Sequence, residues 1–312
     1  MDKNKQLKNY QQLPLEEKIK MTKQKIKDFY EAMNGEVYVS FSGGKDSTVL
    51  LHLVRSIYPN IKAVWVNTTN EDVDIIRFVK TIDNVDTVLP RMNFIKVVEN
   101  YGFPLVSKLV ARQIKDFKNP TPANAKTRNL WLTGISGTGK ESRSKKLSEK
   151  WKFLIDEPFD ITSKCCDILK KEPLIRYEKE TNLKPFVGVL ASEGGQRADN
   201  IVKYGCNILD GDNPKSRPLA FWLEKDIWAY AELNNIRFAE CYYDRVVNGQ
   251  FLAAEVRTGC TFCGFGYQFE NNTLFESDRF TKQKIKNPAR YKKIMQLKNN
   301  GVTFKEALSK II

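Results

Sequence analysis

Apolar residues fall at helical spacing over residues 14–33. Leu15, Ile19, Ile26, Phe29, Tyr30 and Met33 share one face of that run, and Pro14 supplies a favoured first helical residue. Asn34-Gly35 stops the helix, so residues 1–34 are expected to form an N-terminal amphipathic helix. The period then changes. EVYVSF (36–41) and KAVWVN (62–67) are short continuous apolar runs of the kind buried strands carry, while TVLLHLVRSIY (48–58) and DVDIIRFVKTI (72–82) are helical. Strand, helix, strand, helix at this spacing predicts an α/β domain over 35–240, with a parallel sheet. FLIDEPF (153–159) and PFVGVLA (185–191) read as later strands, and FWLEKDIWAYAELNNI (221–236) as a helix. Residues 104–150 are rich in turn formers (NPTPAN, GISGTGKESRS) and read as an insertion. Residues 241–312 hold a Cys-x-x-Cys segment and a basic helical tail, 276–312, with Pro288 at a break or helix start.

The charge refines this picture. Lys and Arg number 51 against 37 Asp and Glu, a net charge of +14. Residues 104–150 hold eleven cations against three acids, and residues 276–312 hold ten against three, which leaves the remainder almost neutral. Such segments are either solvated lysine faces or the footprint of a polyanion, a nucleic acid or a phosphorylated small molecule. No apolar run approaches the ~18 residues a membrane helix needs, and MDKNKQLKNYQQ carries no apolar signal core. The expectation is a soluble cytoplasmic protein with no membrane partner. His52 is the one histidine, which excludes a His-pair zinc protease and leaves any Ser-His-Asp triad resting on that residue alone. In a reducing compartment the six cysteines suggest metal or redox chemistry rather than disulfides.

Ser42-Gly43-Gly44-Lys45-Asp46-Ser47 lies between a strand and a helix, the setting an anion-binding loop requires. Two glycines let backbone N–H groups approach an anion, the next helix directs its positive end there, and Lys45 adds a charge. Ser42 and Ser47 are donors to phosphate oxygens, and Asp46 either orders the loop or helps hold Mg2+. A second Gly-rich stretch, Gly134 to Lys140, has the spacing of a Walker A loop. It is followed by Glu141 instead of Ser or Thr and lacks a leading strand, so it reads as a basic loop.

SGGKDS resembles the PP-loop signature of N-type ATP pyrophosphatases, which cleave ATP between the α- and β-phosphates and use the adenylate to activate an oxygen for replacement. WVNTTNE (65–71) is similar to the segment after the second strand in the phosphoadenosine phosphosulfate (PAPS) reductase branch, with Asn67 where that branch commonly carries Asp and Glu71 in place. ASEGGQR (191–197) and RPLAFWLEKDIWAY (217–230) resemble further segments of the same branch. The resemblance implies a Rossmann-like, adenine nucleotide alpha hydrolase-like fold with helices on both faces. It implies ATP and Mg2+ at Ser42, Gly43, Gly44, Lys45, Asp46, Ser47, Asn67 and Glu71, with Lys45, Asp46 and Arg197 catalytic.

Cys165-Cys166 and Cys260-x-x-Cys263 together offer four thiolates with no histidine nearby. Zinc favours spaced ligands in each half, whereas adjacent cysteines suit a cluster whose irons take one sulfur each. CCxxxKxxPL followed by CxxC is similar to the pattern of 4Fe–4S adenylyl-sulfate reductases, which implies a 4Fe–4S cluster on Cys165, Cys166, Cys260 and Cys263. Zn2+ is the alternative metal, Cys206 a substitute ligand, and Cys241 an expected core residue.

The chain carries no ECGxH-like nucleophile motif, and its phosphate loop is complete where sulfonucleotide reductases usually lose part of it. The expected function is therefore an ATP pyrophosphatase that adenylates an acceptor for cluster-aided sulfur insertion. DNA or tRNA would be the acceptor and a cysteine desulfurase the sulfur donor. Lys108, Arg112, Arg143, Lys145 and Lys146 are the expected substrate contacts. Two alternatives stay open: a PAPS or adenylyl-sulfate reductase using an external thiol or one of Cys206 and Cys241, and a catalytically silent nucleic-acid-binding module with a structural cluster.

Overall fold

The structure, a computed structural model, describes residues 3–270 and 279–312. Helices α1 (Lys3–Gln11) and α2 (Leu15–Ala32) form the N-terminal unit, parted at Pro14, whose missing N–H and fixed φ suit a helix start. The sheet is built from β1 (Val37–Ser40), β2 (Ala63–Val66) and β3 (Val85–Val88), with helices α3 (Lys45–Arg55) and α4 (Val73–Val79) as crossovers. After α5 (Phe94–Tyr101), β4 (Leu105–Val106), α6 (Lys108–Lys118) and α7 (Ala125–Thr133), the chain turns helical at α8 (Lys164–Cys166). A π turn over Asp167–Lys171 then leads into α9 (Glu172–Thr181). Next come β5 (Lys184–Val187), α10 (Gly195–Tyr204), β6 (Asn207–Ile208), β7 (Lys215–Ser216) and α11 (Glu224–Leu233).

The strand order is β3-β2-β1-β5-β7-β6, parallel throughout except for β6 at the edge. Alternation along the strands sorts side chains to two faces. Val37, Val39, Ala63 and Trp65 join the core made with α2, α3, α4 and α11, whereas Tyr38 and Val64 pack with Tyr177 of α9 on the other face. The expected α/β sheet with helices on both faces is thus present.

A second core lies beside it. Ile114 and Leu147 of the insertion, with Phe94, Phe103, Leu154 and Phe159 flanking it, pack with Phe262 and with Phe280, Ile294, Phe304 and Ile311 of the tail. Phe103 stacks on Phe304 with ring centroids 5.1 Å apart. The insertion and the basic tail therefore meet in one apolar centre, closed by β4 pairing in parallel with a strand beyond the cysteine turn. The remaining elements are β8 (Arg245–Val247), β9 (Gln250–Leu252), β10 (Gly264–Phe265), α12 (Arg279–Lys286), α13 (Pro288–Met295), β11 (Lys298–Asn299), β12 (Val302–Thr303) and α14 (Phe304–Ser309).

Three local expectations change. FLIDEPF is not a strand: a 3-10 helix covers Glu149–Ile155, burying Trp151 and Leu154 at the three-residue spacing of that helix. β3 was hidden in VDTV, a partly exposed strand with little apolar signal. The tail is helical but interrupted by the β11–β12 hairpin, and its residues 276–278 lie outside the described ones.

Candidate active site

Between β1 and β5 the order of strand crossovers reverses, and the loops leaving their carboxyl ends face one another there. Open α/β sheets bind ligands in such a crevice. The loop from β1 is Ser42 to Ser47, with Gly44 as N-cap of α3. Gly43 has φ +73°, and a Cβ there would stand 2.8 Å from Ile75 Cγ2 and 2.9 Å from Val79 Cγ2. Gly43→Ala is accordingly expected to cost about 1–3 kcal/mol through crowding and left-handed backbone strain, seen as a lowered thermal midpoint. From β5, Gly188 lets the Asp46–Ser47 backbone approach: its Cβ position is 3.1 Å from Ser47 N.

The loop's donors are internally engaged. Ser42 N–H donates to Ser47 Oγ (3.2 Å), Gly44 N–H to Ser42 Oγ (3.3 Å) and Lys45 N–H to the Tyr242 hydroxyl (3.3 Å). Buried Lys45 directs its ammonium to the Val256 carbonyl and to Glu224 (3.2 Å), over the Tyr242 ring. Asp46 Oδ1 is buried without a hydrogen-bond partner. Burial pushes the Asp46 carboxyl up and Lys45 opposes the shift; Glu224 adds to it, and Arg197 and Arg257 oppose it from further off. A buried, unpaired carboxylate oxygen beside a phosphate loop fits a divalent cation.

A cleft of about 160 Å³ opens beside the loop, lined among others by Ser42, Trp65, Thr68, Glu71, Lys170 and Thr258. Glu71 is buried and accepts a 2.6 Å hydrogen bond from Thr68; burial pushes its carboxyl up against the opposing pull of Lys170, Thr68 and Arg290. Asn67 sits at the exit of β2, where its Oδ1 accepts the Thr69 N–H (3.0 Å) and supports Thr69 at φ +62°. Arg197, on α10, pairs with Glu193, which Arg257 also approaches at 3.8 Å; Arg197 is close enough to act on Asp46.

The four predicted ligand cysteines come together. Cys165 hydrogen-bonds Cys166 and lies within charge range of Cys260 and Cys263. The adjacent thiols are pushed apart: Cys165 brings Cys166 down to about 6, against burial and with help from Lys108 and Lys170, while Cys165 is pushed up. Burial holds the Cys260 thiol up at about 11 although Lys170 bonds it. Lys170 thus touches both the cleft and the cysteines, and the π turn that carries it sets its place: Glu172 N–H bonds the Asp167 carbonyl five residues back, just before Pro173. Among the described residues no group of three or more His, Cys, Asp or Glu side chains surrounds a metal position ready-made. The donor set nonetheless fits a thiophilic metal or iron–sulfur cluster in type and number, with Lys108, Lys170 and Arg279 offsetting its negative charge.

The structure does not bring Cys206 to this group. It stands by Lys25 and Arg217 next to the edge strand β6, and Cys241 is buried in the sheet core. Of the basic candidates, Lys108 lies close enough to Cys166 to lower its thiol pKa. Arg112 is exposed and lies over Trp131, Arg143 pairs with Glu141 on the surface, and Lys145 and Lys146 are exposed. The Gly134–Lys140 stretch is an exposed loop after α7, pinned by an Ile135–Glu141 bridge and followed by no α-helix that would build a Walker A site. Sequence reading missed Gly188, Tyr242, Glu224, Thr258, Arg257, Lys170 and Asn70. For Lys170 alone a signal was present, the lysine of CCxxxKxxPL.

The model of the Phosphoadenosine phosphosulfate reductase domain matches residues 36–102 and 129–264, most of the chain. An uncharacterized protein of Methanocaldococcus jannaschii is 33% identical over 229 residues, covering 70% of this chain; the chain spans only 41% of that relative's length. Among solved structures, phosphoadenylyl-sulfate reductase of Candida auris is similar at 12% identity and a TM-score of 0.37, over 66% of this chain and 75% of that one. The U34-tRNA thiolase of Methanococcus maripaludis, solved with its 4Fe–4S cluster, is similar at 17% identity and 0.37, over 72% and 67%. Scores this low mark distant likeness only. Among the described residues no helix is long and apolar enough to cross a membrane.

Proposed function

The chain belongs to the phosphoadenosine phosphosulfate reductase domain family, and we propose that within it the protein is an ATP pyrophosphatase that adenylates an acceptor for sulfur insertion. The observation that carries this reading is the complete phosphate loop at the sheet's reversal point, with Lys45 buried beside it and Asp46 Oδ1 left without a partner. An acceptor oxygen attacks the α-phosphorus, the bond to the β-phosphate breaks, and pyrophosphate leaves; a sulfur nucleophile then displaces AMP. Ser42, Ser47, Lys45 and the loop amides stabilise charge on the departing pyrophosphate once they exchange their internal partners for phosphate oxygens. Asp46 would hold Mg2+, which neutralises phosphate charge. Arg197 serves the phosphates from the first turn of α10.

Cys165, Cys166, Cys260 and Cys263 would hold a 4Fe–4S cluster or Zn2+; bound there, the metal supplies a thiophilic centre for handling sulfur. The acceptor we propose is a nucleic acid. Arg112, Lys115, Lys126, Lys145 and Lys146 of the insertion are exposed, which suits a phosphate backbone. In the tail, Lys282, Lys286, Arg279 and Arg290 bond carboxylates and carbonyls of the protein itself, while Lys284, Lys292, Lys293 and Lys305 are exposed. A cysteine desulfurase in the cytoplasm would donate the sulfur. The family match favours a second reading, sulfonucleotide reduction, for which a thiol must come from outside, since Cys241 is buried and Cys206 lies away from the cleft.

The test is anaerobic purification with iron and sulfide assays, then pyrophosphate release from ATP with and without tRNA or DNA. Stoichiometric iron and sulfide with release stimulated by one nucleic acid is the expected result. Iron-loaded protein inert to ATP but releasing sulfite from a sulfonucleotide in the presence of thiol would overturn it in favour of reduction.

A further inference from the structure

The Cys260–Cys263 turn is tied to the cleft and its loop through residues other than the cysteines. Upstream, Val256 presents its carbonyl to Lys45, and Thr258 Oγ1 lies 2.8 Å from the Tyr242 hydroxyl that accepts the Lys45 N–H. Within the turn, one residue makes the join. Asn70 accepts the Thr261 N–H on its carbonyl (2.7 Å) and the Phe262 N–H on its side-chain Oδ1 (3.1 Å), so it holds both amides between the two thiols. Asn70 is 1% exposed, which keeps water from competing for those bonds. It lies in the loop between Thr68 and Glu71, both of which line the cleft, and donates its own N–H to Thr68 Oγ1 at 3.2 Å. Across the loop, Arg290 holds the Glu71 and Thr69 carbonyls at 2.8 and 3.2 Å. The loop is thus braced from outside by a cation and bonded from inside to the cysteine turn.

We propose that Asn70 is a positioning residue that couples occupancy of the cleft to metal occupancy of the four-cysteine site, each tightening the other. This rests on the cleft being a nucleotide site. A ligand that orders Thr68 and Glu71 orders Asn70 between them, and Asn70 fixes the turn that must present Cys260 and Cys263. The cost of ordering the shared segment is met once for both events, and linkage makes the effect reciprocal.

The experiment compares the full chain in metal-free form and loaded with Zn2+, titrated calorimetrically with α,β-methylene-ATP in excess Mg2+. The loaded form is expected to bind about 5- to 150-fold more tightly. In Asn70→Ala both ligands still bind but that ratio falls towards unity. A merely structural role would weaken both forms alike and leave the ratio unchanged, which would overturn the assignment to Asn70. Equal affinity in the two wild-type forms overturns the coupling while the nucleotide reading stands; binding to neither form overturns that reading and the coupling with it. Should Asn70→Ala fail to fold, hydrogen exchange in the wild type decides the route. The Thr261 and Phe262 amides are expected to gain protection when nucleotide binds, and no gain overturns the proposal.

Discussion

Replacing Lys45 with methionine is expected to cut pyrophosphate release from ATP by about 10²–10³-fold in kcat, the loss typical of removing one preorganised donor from a developing negative charge. The fold should survive. Methionine keeps the buried stem, and Glu224, the carboxylate that loses its partner, has a half-exposed side chain that water can solvate. The change also frees the Val256 carbonyl and removes the ammonium from over the Tyr242 ring, so a modest shift in melting temperature is consistent with the prediction. A steady-state pyrophosphate assay beside a thermal melt separates the two effects. Undiminished release from a folded variant would remove Lys45, and with it the phosphate-loop assignment, from the mechanism.

The largest expected loss of stability lies elsewhere, at Lys286→Met. Lys286 pairs with Asp72 at 2.9 Å and Asp74 at 3.0 Å, and all three side chains are under a tenth exposed. Gln283 adds a 2.6 Å bond to Asp72, and Arg245 pairs with Asp74. Burial alone would lower the Lys286 pKa, but the two carboxylates more than offset it and hold it up; burial likewise raises Asp72, and Lys286, the Asp74 N–H and Gln283 together more than offset that. Removing the cation strands buried negative charge, a change that costs about 3–5 kcal/mol, read by urea unfolding near neutral pH.

The pH dependence follows from the signs. With its folded pKa depressed, Asp72 contributes stability above its unfolded pKa and loses it as pH falls through the folded value. With its folded pKa raised, Lys286 contributes below its unfolded pKa and loses that as pH rises through the folded one. The deficit of the variant should therefore shrink on acidification, as protonation relieves the stranded carboxylates. A deficit independent of pH would show that Lys286 acts by packing alone.

What could be read in advance divides along physical lines. β1, β2, β5 and α3 were legible because fully buried parallel strands are continuous apolar runs and because two glycines punctuate the strand-to-helix turn. The four cysteines were legible as pairs of one residue type at short spacing. The role of the tail was not. Its cations looked like a polyanion footprint, yet Lys286 is spent on Asp72, more than two hundred residues earlier, and a count of charge does not reveal a partner that distant. Tyr242, Gly188 and Asn70 were invisible for the same reason: each matters through one approach made only after folding. Asn70 in particular reads in the sequence as an ordinary turn residue.

The two apolar centres also set an order of events as the chain is made. β1, β2, β3 and β5 lie within the first 187 residues, so the sheet can pair while the remainder is still being synthesised. The neighbouring core cannot close so early, because Phe103 waits for Phe304, on which it stacks. Cys165 and Cys166 must spend that interval on a half-built surface, before Cys260 and Cys263 have emerged. The metal proposed for these four thiols could be taken up only after Cys263 has emerged, and oxidation of the waiting pair is the hazard of that delay.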